Sequence, residues 1–197
     1  LTAETMLLTA LERTRIVGIV RETDTETALT VARRLVELGL QAVEVSATTP
    51  GAVEAVAQLA TEFRDRHDLL LGLGTVLDPE QVSQAARAGA SFVIAPTYDP
   101  AVVRAAVDQG LAAIPGCATP SEMQDAHRTG AAAVKIFPAV TWSPKALRAM
   151  LEALPHLRCV PTGGIGFDDV RGWLGAGAFA VGLGSSLSRA ARLPDLA

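Results

Sequence analysis

Short apolar runs recur along this chain at 16–20, 42–46, 69–74, 92–96, 112–116, 133–138, 159–164 and 180–185. Each has the length of a buried strand and is too short for a buried helix. Successive runs begin roughly 20–27 residues apart, the size of one strand plus one helix. Between them the apolar positions follow a helical period. Over 25–38, Ala28, Val31, Ala32, Leu35 and Val36 fall on one face. The segment 79–88 opens with Asp78 as N-cap and Pro79 at the first helical position. Asp99-Pro100 repeats that device before 101–108, and Thr119-Pro120 repeats it before 121–128. Small residues or glycine close the helices at Leu38-Gly39, Ala88-Gly89, Gln109-Gly110, Thr129-Gly130 and Gly175-Ala176-Gly177.

Eight strands, each but the last with a full helix behind it, predict an α/β protein closed as a single (β/α)8 barrel, a TIM barrel, over residues 1–197. The alternative is an open doubly wound sheet. That architecture favours a glycine-rich loop after the first strand, and this first strand runs into Arg21-Glu22 instead. The segment after the eighth strand is short, so the final helix is expected to be short or incomplete.

Alternate strand residues of a barrel point inward, and sites form at the C-terminal strand ends. In the sixth run Val134 and Ile136 face the helices, which turns Lys135 and Phe137 inward. In the second run Val43 and Val45 face outward, which turns Glu44 inward. Lys135 stands out because it is one of only two lysines, and it lies within Ala-Ala-Ala-Val-Lys-Ile-Phe-Pro. A cation there costs several kcal/mol (~3 or more) unless it is paired or loses its proton. Burial lowers a lysine pKa, and a neutral amine attacks carbonyls. Lys135 and Glu44 are therefore candidate catalytic groups, and the competing reading is a structural ion pair. Pro161-Thr162-Gly163-Gly164 and Gly182-Leu183-Gly184-Ser185 end the last two strands. Such glycine turns present backbone N–H groups, which suits a phosphate. Gly72-Leu73-Gly74-Thr75 offers a hydroxyl toward the centre, and Arg21 ends the first strand as a candidate anion ligand.

Charge and composition narrow the partners. The formal net charge is −4 and no basic stripe is present, which argues against a nucleic-acid partner. No apolar run approaches the roughly 20 residues of a membrane span. The N-terminal residues lack the pattern of a signal peptide, so a cytoplasmic protein is expected. Cys117 and Cys159 form no CxxC pattern and read as buried free thiols. His67, His127 and His156 show no metal-ligand spacing, so no metal is expected.

Taken together, these motifs resemble the class I aldolase family of 2-keto-3-deoxy-6-phosphogluconate aldolase, its 6-phosphogalactonate counterpart and 4-hydroxy-2-oxoglutarate aldolase. The likeness spans nearly the whole chain. It rests on Gly18-Ile19-Val20-Arg21, Ala42-Val43-Glu44-Val45, Gly72-Leu73-Gly74-Thr75-Val76-Leu77, Pro115-Gly116-Cys117-Ala118-Thr119-Pro120-Ser121-Glu122, Val134-Lys135-Ile136-Phe137-Pro138 and Pro161-Thr162-Gly163-Gly164-Ile165. The resemblance implies Lys135 as Schiff-base lysine and Glu44 as general acid/base. It implies Thr75, with Arg21, Phe137 and Thr162, at the keto-acid end, and Gly163, Gly164, Gly184 and Ser185 at a phosphate. It also implies a homotrimer.

One position departs from the family pattern. Phosphogluconate-type members often carry a carboxylate-binding arginine where this chain has Thr48, and Arg21 is the replacement that the phosphogalactonate-type pattern offers. The expected reaction is cleavage of a 2-keto-3-deoxy-6-phospho sugar acid to pyruvate and D-glyceraldehyde 3-phosphate, with no cofactor beyond the covalent Schiff base. Its alternatives are a hydroxyoxoglutarate aldolase releasing glyoxylate, another sugar-phosphate enzyme, and a silent phosphosugar-binding protein.

Overall fold

Strand β1 (Ile16–Val20) pairs in parallel with β2 (Ala42–Ser46), β2 with β3 (Leu70–Gly74), β3 with β4 (Phe92–Ile94) and β4 with β5 (Ala112–Ile114). A computed structural model describes residues 1–191. The last strand, β9 (Val181–Leu183), joins the other edge of β1 and completes a six-stranded parallel sheet. A second parallel sheet holds β6 (Gly116–Cys117), β7 (Val134–Ile136) and β8 (Cys159–Pro161). The fold is thus α/β with parallel strands.

The expectation of eight uninterrupted strands needs correction. The fifth run divides at Pro115 into β5, which pairs with β4, and β6, which pairs with β7. Proline has no N–H to give to a ladder, so one bond is missing there and the regular pairing is interrupted.

The expected helices form with their expected caps. They are α2 (Thr25–Glu37), α4 (Pro79–Arg87), α5 (Pro100–Asp108) and α6 (Pro120–Thr129), alongside α3 (Ala52–Glu62), α7 (Pro144–Ala153), α8 (Phe167–Gly175) and α9 (Ser185–Ala191). Asp78 accepts from the Gln81 N–H at 2.9 Å. Thr119 and Glu122 form a reciprocal capping box at the start of α6. The rest of the expected final segment, 192–197, lies outside the described residues.

One helix was not anticipated. Before β1, α1 (Ala3–Thr14) starts at Thr2, whose side chain accepts from the Thr5 N–H. Its Leu7, Ala10 and Leu11 are buried against the inward residues Val17, Ala42, Leu70, Phe92, Ile94, Ile114 and Val160. The outward residues Val43, Val45, Leu73, Val93, Val134, Ile136 and Val181 pack instead with the helices. The core therefore has two layers, one inside the strands and one between strands and helices. Lys135 and Glu44 belong to the inner layer by strand alternation, at 6% and 1% exposure.

Candidate active site

The inner face of β7 carries Lys135 between outward Val134 and Ile136, as alternation requires. Its Nζ lies 4.5 Å from the centroid of the Phe137 ring, within cation–π range. Burial pushes the Lys135 pKa down. The Glu44 charge works against that shift and the Arg21 charge adds to it. Glu44, on β2, is buried completely, and burial drives its carboxyl up to about 7, against the opposing pull of Lys135 and Arg21. Its Oε2 has no hydrogen-bond partner among the described residues. No salt bridge joins Lys135 and Glu44 among those residues. The pair is thus not the close ion pair of the competing reading, and each group is carried toward its neutral form.

Neighbouring strands shape the space around Glu44. Gly74 sits in register with Ser46 at the end of β3, and a Cβ there would run into the Glu44 carboxylate. The absence of a side chain is what lets the carboxylate lie against that strand. Thr75 follows with φ of 60°, a left-handed conformation rare for a β-branched residue. Its Oγ1 is 2.8 Å from Ser46 Oγ.

A cavity of about 1000 Å3 opens at the C-terminal strand ends. Its lining includes Arg21, Lys135, Phe137, Thr162, Gly163, Gly164, Gly184 and Ser185. Eight of the ten residues singled out in the sequence therefore border one space. Glu44 and Thr75 are not in the lining: Glu44 is felt by Lys135 and Arg21 from β2, and Thr75, just after β3, bonds to Ser46. Gly163 and Gly164 have φ of 95° and 76°, so this turn needs glycine at two successive positions. Thr162 is buried, donates to the Val160 carbonyl at 3.1 Å, and presses on Gly182, where a Cβ would meet its Oγ1. Ser186, at the end of the same turn, borders the cavity too, as do Ser188 and Arg189, which were not singled out in the sequence. Their helix follows the Gly-Leu-Gly turn, and that adjacency was the available signal.

Thr48 does not reach this cavity. It is exposed and lines a separate groove of about 750 Å3, together with Thr49, Pro50, Gln81 and Arg87. Among the described residues no group of three His, Cys, Asp or Glu is placed to hold a metal ion. Cys117 and Cys159 are buried free thiols, and burial pushes both up to about 12, far from a reactive thiolate. The His127 and His156 rings lie 4.9 Å apart, a proximity that their sequence separation hides.

Comparison with known proteins places the chain. Residues 8–196 match the family model described as KDPG and KHG aldolase. The chain is 34% identical to 2-dehydro-3-deoxy-6-phosphogalactonate aldolase of Escherichia coli (strain K12), over 89% of this chain and 85% of that one. It is 40% identical to 2-dehydro-3-deoxy-phosphogluconate aldolase of Treponema pallidum (strain Nichols), over 82% and 76%. A crystal structure of KDPG aldolase from Legionella pneumophila, with pyruvate captured at low pH as a covalent carbinolamine intermediate, superposes with a TM-score of 0.82. That match has 28% identity over 93% of this chain and 95% of the other. The buried lysine and carboxyl, the glycine-lined cavity and these matches agree, and the chain belongs to the KDPG and KHG aldolase family.

Proposed function

We propose that this protein is a class I aldolase that cleaves a 2-keto-3-deoxy-6-phospho sugar acid to pyruvate and D-glyceraldehyde 3-phosphate. The observation that carries the reading is the Lys135 amine. It is buried on the inner face of β7, borders the cavity, and is pushed toward its neutral, nucleophilic form.

In the proposed reaction Lys135 Nζ adds to the C2 ketone, and the carbinolamine loses water to give an iminium. Glu44, whose burial raises its pKa to about 7, gives a proton to the departing hydroxyl and is left as a base. It then takes the C4 hydroxyl proton, directly or through one water. The C3–C4 bond breaks, its electrons pass into the iminium, and an enamine and a free aldehyde result. Protonation of the enamine at C3 and hydrolysis release pyruvate and restore the lysine. The iminium polarises the bond that breaks, so the scheme calls on no metal or cofactor.

The remaining residues fall at two ends of the substrate. Arg21, in the cavity lining, and Thr75, assigned by the family resemblance, hold the keto-acid carboxylate, with Arg21 supplying the cation that Thr48 does not. Phe137 packs against the methyl end of pyruvate, and Thr162 lies at the same end. Bare backbone at Gly163, Gly164 and Gly184, with the Ser185 hydroxyl, takes the phosphate.

The same proposal closes the two sheets into one (β/α)8 barrel and treats 1–197 as one domain. Its support lies at the two seams. At one seam the Phe179 N–H donates to the Cys159 carbonyl at 2.8 Å, and Thr162 bridges Gly182. At the other, the Ala132 N–H donates to the Ala113 carbonyl and the Lys135 N–H to the Pro115 carbonyl, both at 2.9 Å. The homotrimer rests on the family resemblance alone, and the cytoplasmic location stays an expectation of the sequence.

The test is steady-state release of pyruvate from three substrates: 2-keto-3-deoxy-6-phosphogluconate, its galactonate epimer, and 4-hydroxy-2-oxoglutarate. At least one phosphorylated substrate is expected to exceed hydroxyoxoglutarate by about 100-fold in kcat/KM, because the phosphate site binds only the former. Pyruvate from none of the three overturns the reading. Hydroxyoxoglutarate as the best substrate overturns the phosphate assignment.

A further inference from the structure

We propose that Ser46 and Thr49 are positioning residues, a hydroxyl bracket on the loop after β2 that sets Thr75 on one side and the Arg21 segment on the other. The proposal deepens the aldolase reading and rests on its carboxylate assignment.

Ser46 is fully buried at the end of β2, on the same face as Glu44 and in register with Gly74. Its Oγ is 2.8 Å from Thr75 Oγ1 and 2.8 Å from Thr48 Oγ1. A serine hydroxyl can donate once and accept twice, so the three hydroxyls form one hydrogen-bonded chain with Ser46 at its centre. Thr75 needs such a partner. A non-glycine residue in the left-handed region costs about 1–3 kcal/mol and persists only where its surroundings fix it. Backbone bonds hold both flanks, from the Ala47 N–H to the Gly74 carbonyl at 2.7 Å and from the Val76 N–H to the Ile94 carbonyl at 3.1 Å. They fix the backbone, while Ser46 fixes the direction of the Thr75 hydroxyl.

The same loop reaches the other way. Thr49 is buried, and its Oγ1 accepts the Glu22 N–H at 3.1 Å, one residue after Arg21. Residues 46–49 therefore reach both neighbouring strand ends, with one hydroxyl to each. The residues at those ends, Arg21 and Thr75, are the two assigned to the substrate carboxylate. The exposed Thr48 between the bracket residues puts no charge into the cavity. The loop thus contributes to carboxylate binding by orienting its neighbours.

The test follows borohydride trapping of pyruvate on Lys135 as a function of pyruvate concentration. Ser46→Ala is expected to raise the half-saturating concentration by about 10-fold, or ~1.4 kcal/mol, with the maximal trapping rate within about 3-fold of the parent. If Ser46 acts through Thr75, the double variant with Thr75→Ala is no worse than Thr75→Ala alone. Thr49→Val should raise half-saturation independently of Thr75, and Thr49→Ser, which keeps the hydroxyl, should recover most of the loss. The Thr49 pair carries the test if Ser46→Ala folds poorly. Half-saturation unchanged in Ser46→Ala and Thr49→Val, with only the melting temperature lowered, overturns the proposal. Full additivity of Ser46→Ala with Thr75→Ala overturns the Ser46 arm. Absence of trapping in the parent protein is a different failure, which removes the aldolase reading itself.

Discussion

Glu44 and Lys135 are each placed where the charged form is disfavoured, and the consequence is measurable in stability as well as in catalysis. The folded-state pKa of Glu44 is about 7, against 4.5 for a free glutamate. Between those values the folded protein holds a proton that the unfolded chain has lost. The protonated carboxyl is therefore least costly below about pH 4.5, and stability falls as pH rises through 7. Glu44→Gln removes that dependence. Loss of the Glu44 charge also lets the Lys135 pKa fall further, which makes the variant gain still more as pH rises. Denaturant unfolding of both proteins should show Glu44→Gln gaining on the order of 2 kcal/mol relative to the parent between pH 5 and pH 8. A difference independent of pH would mean that Glu44 is ionised throughout. Both inward-facing residues were legible, because strand alternation and an isolated lysine in an apolar run suffice to point at them. The left-handed Thr75 and its bond to Ser46 were not. They depend on which residue of β2 lies beside the end of β3, and neither strand carries that register in its own composition.

Among the elements, α1 separates stability from chemistry. Leu7 and Leu11 are fully buried against the inward strand residues, on a helix that contributes nothing to the cavity lining. Leu11→Ala should destabilise the protein by about 3 kcal/mol. Its kcat, measured well below the lowered melting temperature, should stay within about 2-fold of the parent. A large loss of kcat at full folding would tie α1 to the site. The helix had a sequence signal, with Thr2 as N-cap and Leu7, Ala10 and Leu11 at helical spacing. The strand-plus-helix rhythm drew attention away from it, because that rhythm starts at β1. Helices α4, α5 and α6 were read accurately for the opposite reason: each begins with a capping side chain and a proline, a local signal that needs no tertiary context. The interruption at Pro115 is local chemistry too, since proline leaves one ladder bond unmade wherever it falls in a strand.

At the scale of the whole molecule, the function depends on bringing two sheets together. Lys135 lies on the three-stranded sheet and Glu44 on the six-stranded one, 91 positions apart in the chain. Their charges act on one another, and Arg21 acts on both. The sequence rhythm foretold parallel strands alternating with helices, and from that alone the convergence of these residues at one end of the strands. It did not foretell how the strands would divide between sheets. Sheet membership is decided by single backbone bonds at the seams, and those have no sequence pattern of their own. The central claim is that this convergence makes Lys135 a nucleophile toward a keto acid. The most direct measurement is incubation with pyruvate and borohydride, followed by peptide mass spectrometry. The account predicts a reduced pyruvate adduct on Lys135, no labelling of the exposed Lys145, and loss of the adduct in Lys135→Ala. An unlabelled Lys135, under conditions that label a known class I aldolase, would contradict it.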